Sequence, residues 1–283
     1  MRVLVTGHKG YIGSKIFNKC KNLGYDVLGI DLKEDNKDIL NIFSCKKYIE
    51  FKPEIIFHLA ANPRIQYTID NPSKSLMNNV YGTSVMLEYA NRSKTKRFVF
   101  SSSSSIYGNG DFPVSPYGLH KLQSELECRL YSEYYGLDTV SLRYFNVFSE
   151  DQIVTDAYPT VIAAWMQKIR EQKNLIVYGK GNHTRDYIHV DDIVDCNLYV
   201  ANYKDKFNGK TFDVGRGKNY SLNFIKEYIL SKHNVFFEHL EERKCDPLLT
   251  MANIEELNSI GWNANIDFIS GLDRCFNRNL IKE

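Results

Sequence analysis

Short apolar runs that stop at a glycine, an acid, a histidine, a serine or an asparagine, each followed by a stretch of helical period, fill the first half of the chain. Residues 2–6 are a β-branched run ending at Gly7, after which Ile12, Ile16, Phe17, Cys20 and Leu23 recur at helical spacing. The strand pattern returns at 26–30, 55–58, 98–100 and 139–144. Between these runs, 40–52 is helical in period until Pro53 breaks it, 75–91 carries Leu76, Asn79, Val80, Thr83 and Leu87 on one face, and 117–135 carries Leu119, Leu122, Leu126 and Leu130. Such alternation predicts an α/β fold with a doubly wound parallel sheet. Ligands of such sheets lie beyond the carboxyl ends of the strands, where Gly7, Asp31, Ala60, Ser103 and Asn146 fall.

After Asn146 the alternation becomes mixed: helix at 157–173, strand at 175–178, a turn at Gly179-Lys180-Gly181, helix at 193–202, strand at 211–214 and helix at 222–231. Residues 1–149, with 185–217 returning to them, are expected to form a dinucleotide-binding domain of Rossmann type. Residues 150–184 and 218–283 are expected to form a smaller mixed α/β substrate-binding lobe.

The net charge of +2 gives no reason to expect a polyanionic partner, and the basic run 94–97 ahead of a strand reads as a solvated loop rather than a nucleic-acid patch. Six cysteines without a C-x-x-C pair, and an N-terminus that opens on a strand, suggest a reduced, cytoplasmic protein. No apolar run reaches the roughly 18 residues of a membrane span, and no metal ligand set is assigned.

Thr6-Gly7-His8-Lys9-Gly10-Tyr11-Ile12-Gly13 sits between a strand and a helix, the context in which spaced glycines carry meaning. Gly7 permits a tight turn, Gly10 lets a pyrophosphate approach the backbone, and Gly13 lets the helix pack on the strand. Asp31 ends the second strand, 18 residues beyond Gly13, where an acid binds the adenosine ribose and repels a 2′-phosphate. NAD is therefore favoured over NADP, with Lys9 and Lys33 as nearby cations that could hold a phosphate. Leu59-Ala60-Ala61 offer small residues for a close cofactor, and His58 reads as a packed strand-end residue. Asn79 interrupts an apolar stripe and either caps a kink or holds water near the site.

A Tyr four residues before a Lys occurs at Tyr11/Lys15, Tyr48/Lys52, Tyr117/Lys121 and Tyr228/Lys232, so spacing alone selects nothing. Tyr117/Lys121 differs because the strand run 98–100, ending in serines 101–105, lies upstream and Pro116 marks a helix start. On one helix face, Lys121 and a positive nicotinamide would lower the phenol from its reference of about 10 and make Tyr117 a general base.

T-G-x-x-G-x-x-G at 6–13, Asp31, H-L-A-A at 58–61, N-x-x-G-T at 79–83, S-S-S-x-x-I-Y-G at 101–108, Y-x-x-x-K at 117–121, R-Y-F-N-V at 143–147 and T-R-D-Y-I-H-V-D-D at 184–192 resemble the extended short-chain dehydrogenase/reductase family. Within it the sequence is nearest to nucleotide-sugar 4-epimerases of the UDP-galactose 4-epimerase type. The resemblance implies Ser103, Tyr117 and Lys121 as the catalytic set. It implies NAD contacts at Gly7, Lys9, Gly10, Tyr11, Ile12, Gly13, Asp31, Leu59, Ala60, Ala61, Asn79, Ser101, Tyr117, Lys121 and Tyr144. Ser103, Asn146, Arg185, Arg243 and Asp246 are implied to hold a nucleotide-diphosphate sugar, a guanidinium fork suiting the diphosphate. Ser102, Ser104 and Ser105 are then turn formers, and a homodimer through the helices at 75–91 and 117–135 is expected.

Two departures lie beside the implied sugar pocket, a short Ser103-to-Tyr117 interval and Ser149-Glu150 after the R-Y-F-N-V strand in place of Gly-Pro, and Cys245 replaces the glycine before Asp246. Dehydratases of the family carry an acid after the catalytic hydroxyl, where this chain has Ser104 and Ser105. Reversible oxidation at sugar C4 is thus favoured over elimination. A 4-keto nucleotide-sugar reductase, a dehydratase and a catalytically silent NAD(P)-binding sensor are the other readings.

Overall fold

A computed structural model describes residues 1–33, 38–108, 112–152, 160–241 and 249–277. The chain divides into two compact units, 1–144 with 194–213, and 145–193 with 214–283. The sequence pattern placed those divisions at 149, 184 and 217.

The first unit is built on β1 (Arg2–Thr6), β2 (Asp26–Ile30), β3 (Ile55–His58), β4 (Arg97–Ser103) and β5 (Thr139–Tyr144), completed by the strand Lys210–Val214. Their order is β2-β1-β3-β4-β5 and then Lys210–Val214, and the pairings among the first five are parallel. Val3, Leu4 and Val5 are all fully buried, as is Ile56, because helices cover both faces of a parallel sheet and leave its central strands no solvent side. That is why these runs are continuously apolar rather than alternating.

Three elements differ from the expected pattern. The 40–52 stretch is a 3-10 turn at Ile39–Ser44 and a short helix at Lys46–Phe51, separated at Cys45, whose extended backbone interrupts the helical ladder. The 75–91 stretch runs as Pro72–Leu76, a π-helical segment at Met77–Tyr81 and the helix Gly82–Arg92. A short helix at Ile65–Asp70 also appears, in a segment without clear periodicity.

β4 continues past its aromatic run, and Ser101, Ser102 and Ser103 pair with Leu142, Arg143 and Tyr144 of β5. Ser102 is consequently a strand residue, not a turn former. The following helix starts at Pro116, with the Ser115 hydroxyl accepting from the Gly118 N–H at 3.1 Å, and stops at Gly136 in the left-handed region. Its buried positions are Gly118, His120, Lys121, Ser124, Glu125 and Cys128, whereas Leu126 and Leu130 of the predicted leucine stripe are exposed. The polar face turns inward because partners wait there for its Lys121, Ser124 and Glu125.

Arg97, expected to belong to a solvated basic run, is buried. Its guanidinium pairs with Asp138 at 2.6 Å and donates to the carbonyls of Val200, Tyr203 and Asp205. The other Asp138 oxygen accepts from the Phe207 and Asn208 N–H groups at 2.7 and 3.0 Å. This pair fixes the 194–213 segment to the sheet, and cationic Arg97 also lies 4.7 Å from the Phe207 ring centroid.

The second unit holds the antiparallel pairing of Asn219–Ser221 with Thr184–His189, on which Asn146–Phe148 and Leu249–Thr250 pair in parallel. Phe148, Trp165, Tyr187, Phe268 and Phe276 dominate its separate apolar core.

Because a buried ion pair broken on one side leaves an uncompensated charge, Arg97→Ala or Asp138→Ala is expected to cost about 3–5 kcal/mol in denaturant unfolding. The double variant should cost less than the sum of the two, as a double-mutant cycle on shared partners requires.

Candidate active site

The first unit brings most of the expected residues to the carboxyl edge of its sheet. Gly7, at φ +71°, bends the chain out of β1, and a Cβ there would stand 2.9 Å from the Ala60 nitrogen. A Cβ at Gly13 would stand 2.1 Å from the Gly7 carbonyl oxygen, so both glycines are required by close backbone approach. Gly10 caps the Tyr11–Asn22 helix with its own N–H given to the Gly7 carbonyl at 2.9 Å, and the first turn carries no acid. A three-turn helix N-terminus reached through a bare glycine loop suits a diphosphate.

Asp31 closes that loop. Its two oxygens accept from the Lys9 N–H and the Lys33 N–H, each at 2.9 Å, which orients the carboxylate while leaving lone pairs for ribose hydroxyls. Tyr11 and Ile12 occupy the first two helical positions, both partly buried. These features fit a dinucleotide.

Beside Gly7, a continuous buried hydrogen-bond chain sets the Leu59-Ala60-Ala61 loop. The Leu59 and Ala60 N–H groups donate to the Thr6 hydroxyl oxygen at 3.1 and 3.0 Å, so the Thr6 proton goes to His58 Nδ1 at 2.7 Å. The Thr83 hydroxyl donates to the Asn79 carbonyl at 2.7 Å, so His58 Nε2 must be the donor to Thr83 at 3.0 Å. Only neutral His58 protonated on Nε2 satisfies every member. Burial, with the Lys121 charge adding to it, pushes His58 down to about 3. The Asn79 side chain accepts from the Asn62 N–H at 2.7 Å and donates to the Asn62 carbonyl at 3.1 Å, clamping the loop from the π-helical segment. Thr6 and Thr83 lay in motifs whose glycines and asparagine drew the attention, and only the shared partner His58 reveals them.

Tyr117 and Lys121 share the inner face of the Pro116–Tyr135 helix. Ser103 hydrogen-bonds the Tyr117 phenol, and it also bonds the Ser105 hydroxyl at 3.1 Å and accepts from the Ser105 N–H at 3.2 Å. The Lys121 ammonium donates to the Ser101 carbonyl at 2.6 Å and lies 5.9 Å from the Tyr117 ring centroid. Burial pushes Tyr117 up to about 12, opposed by the Ser103 hydrogen bond and the charge of Arg64. The half-buried site thus outweighs Ser103 and Arg64, whereas the expected lowering called on Lys121 and a positive nicotinamide together. Burial also pushes Lys121 down to about 8, with Glu125 acting in the other direction. Ser101 and Tyr144 bond to each other at 2.9 Å, and Tyr144 is further engaged by Asn197 at 3.0 and 2.8 Å. They brace the carbonyl that Lys121 grips.

In the second unit, Asn146 donates to the Asp186 carbonyl at 2.8 Å. Asp186 in turn gathers the N–H groups of Arg216, Gly217 and Ala252 at 2.9, 2.8 and 3.2 Å. Arg185 sits in the same strand and donates to its neighbour's carbonyl at 2.9 Å. Arg243 and Asp246 lie outside the described residues. Glu150, at a departure from the expected pattern, is bonded to buried His189 at 3.0 Å.

The sequence profile of the NAD dependent epimerase/dehydratase family matches residues 3–215. A Methanocaldococcus jannaschii protein provisionally named UDP-glucose 4-epimerase is 31% identical over 97% of this chain and 97% of its own. The UDP-N-acetylglucosamine 4-epimerase of Methanobrevibacter ruminantium, solved with UDP-N-acetylmuramic acid, superposes with TM-score 0.88 at 27% identity, covering 99% of this chain and 97% of that one. The UDP-glucuronic acid 4-epimerase of Bacillus cereus, solved with UDP-glucuronic acid and NAD, superposes with TM-score 0.86 at 26% identity, covering 100% and 99%.

The neutral His58 makes stability depend on pH. An unfolded histidine takes a proton below about 6.5, while the folded one resists until about 3, so this contribution is complete above 6.5 and is lost as pH falls. The unfolding free energy of the native protein should drop more steeply between pH 6.5 and 4 than that of His58→Gln, by up to about 1.4 kcal/mol per pH unit.

Proposed function

The chain belongs to the NAD dependent epimerase/dehydratase family, and we propose from this that it is an NAD-dependent nucleotide-sugar 4-epimerase working on a UDP-sugar. The observation that carries this reading is the joint placement of Ser103, Tyr117 and Lys121 at the end of β4, in the unit that holds the glycine loop and Asp31. Solved relatives with this fold hold UDP-sugars, and two of these proteins hold NAD as well.

Bound NAD supplies a hydride acceptor and, on return, a hydride donor for the sugar C4, together with a positive charge. Tyr117 takes the proton of the C4 hydroxyl as that carbon is oxidised, and gives it back after the 4-keto sugar has presented its other face. The upward shift of Tyr117 matters here: the phenol holds its proton until a further positive charge joins Ser103 and Arg64 in favouring the phenolate. Ser103 hydrogen-bonds the same substrate oxygen. Lys121 holds the nicotinamide ribose, and Asn146, Arg185, Arg243 and Asp246 keep the nucleotide anchored during the turnover of the sugar. Ser104 and Ser105 leave no acid beside Ser103 for expelling a C6 hydroxyl, which supports epimerisation over dehydration.

The finer expectations belong to this reading too. No helix among the described residues is long and apolar enough to cross a membrane. The five described cysteines are free, which supports a reducing, cytoplasmic setting. Leu76, Met77 and Tyr81 of one helical stretch and Leu126 and Leu130 of the long helix are exposed, which supports a homodimer through these helices.

Incubating the purified protein with UDP-, GDP- and dTDP-sugars without added cofactor is expected to yield C4 epimers of a UDP-sugar; a strict requirement for added NADPH, or no conversion of any sugar, would overturn the reading. Tyr117→Phe should lower kcat by about 10²–10⁴-fold with dinucleotide retained, the range of a removed general base. Sedimentation should show a dimer that Leu126→Glu/Leu130→Glu converts to monomer.

A further inference from the structure

Behind Lys121 lies a row of buried and half-buried side chains with alternating charge that the reaction above does not use. Glu125 is one helical turn beyond Lys121, as Lys121 is one turn beyond Tyr117, so the three share a face. Glu125 is buried, and its carboxylate is held from two strands. The Ser102 hydroxyl of β4 donates to Oε1. The Arg143 guanidinium of β5 forks onto both oxygens, from Nε at 2.9 and 3.2 Å and from Nη2 at 2.7 Å. Arg143 is itself held by the Tyr107 hydroxyl at 2.7 Å, and Tyr107 donates to Asp213 at 2.6 Å.

We infer that Glu125 is a positioning residue for the reaction: the buried counter-charge that keeps Lys121 an ammonium, fixed in place by Arg143 and Ser102. The alternative, a carboxylate that only joins the helix to the sheet, accounts for the Arg143 fork but not for its position one turn from a buried lysine. A fork between a half-buried guanidinium and a buried carboxylate is weak support for stability as such. Lys121 needs a counter-charge. It is buried against the Phe100 ring, its centroid 4.7 Å away, and donates to a neutral acceptor, the Ser101 carbonyl. The charged and titratable groups facing it are Glu125, itself paired with the Arg143 guanidinium, and Cys128 from its own helix, the Tyr117 ring, and neutral His58 from β3. Burial pushes the Cys128 thiol well above its ordinary range, which leaves Glu125 as the one anion among those groups.

An opposite charge at this range moves a pKa by about 1–3 units. Glu125→Gln keeps shape and hydrogen bonding to Arg143 in part and removes the charge. It should lower the Lys121 pKa by at least about one unit, read as the 13Cε shift of lysine-labelled protein against pH. The alkaline limb of kcat/KM should fall by a similar amount, with little change in kcat at the pH optimum. Ser102→Ala removes a hydrogen bond to the same carboxylate but no charge, and should leave both readouts within a few tenths of the native values. The rate readout rests on the epimerase reading; the resonance does not, so a failure of that reading and a failure of this inference are told apart. An unshifted lysine resonance in Glu125→Gln, or an equal shift in Ser102→Ala, would overturn it.

Discussion

Everything at the ligand edge of the first unit hangs on the hydroxyl of Thr6. It is the last residue of β1, and its oxygen receives two backbone N–H groups of the 59–61 loop while its proton goes to His58. One side chain thereby fixes where β1 ends, how close the 59–61 loop lies to Gly7 and which nitrogen of His58 carries hydrogen. The same chain runs on through Thr83 to Asn79 and reaches the long helix where Ser124 donates to the Asn79 carbonyl at 3.0 Å. The glycine loop, the 59–61 loop and the 116–135 helix are thus braced by a single connected set of hydrogen bonds, the condition under which buried polar groups rigidify a site rather than weaken it.

A second constraint is the removal of Lys121 from water. Burial works against its charge, and the same burial works against ionising Tyr117. The two groups resist the charged state that the proposed reaction asks of them, and nearby fixed charges decide how far each is allowed to go. Reactive groups tuned in this manner are what a site built for reversible proton transfer requires.

The sequence made the sheet legible because parallel central strands such as 3–5 must be apolar throughout, and glycines at 7 and 13 have steric reasons to be where they are. The long helix was legible in extent, through Ser115, Pro116 and Gly136, and misread in orientation. Leu126 and Leu130 form a better apolar stripe than His120, Lys121, Ser124 and Glu125, and a periodicity argument prefers the stripe. What reverses it is pairing with residues far away in sequence, Ser101, Ser102, Asn79 and Arg143, which no local pattern displays. Arg97 was misread for the same reason, its partners lying 41 to 108 positions away. Asn79 was noticed as an anomaly, but the π-helical turn that lets its amide span Asn62 has no recognisable signature.

The clamp made by Arg97 and Asp138 also orders events during synthesis. Both residues leave the ribosome before any of the 194–213 segment that satisfies them, and all of 145–193 is made in between. Until that segment arrives, the edge at β4 and β5 carries a charged pair whose carbonyl and amide partners do not yet exist, and β5 lacks its neighbouring strand. The first unit therefore cannot close cotranslationally as an independent N-terminal body. It must wait for a piece of chain that follows the second unit's opening segment, so the two units are interleaved in time as well as in sequence.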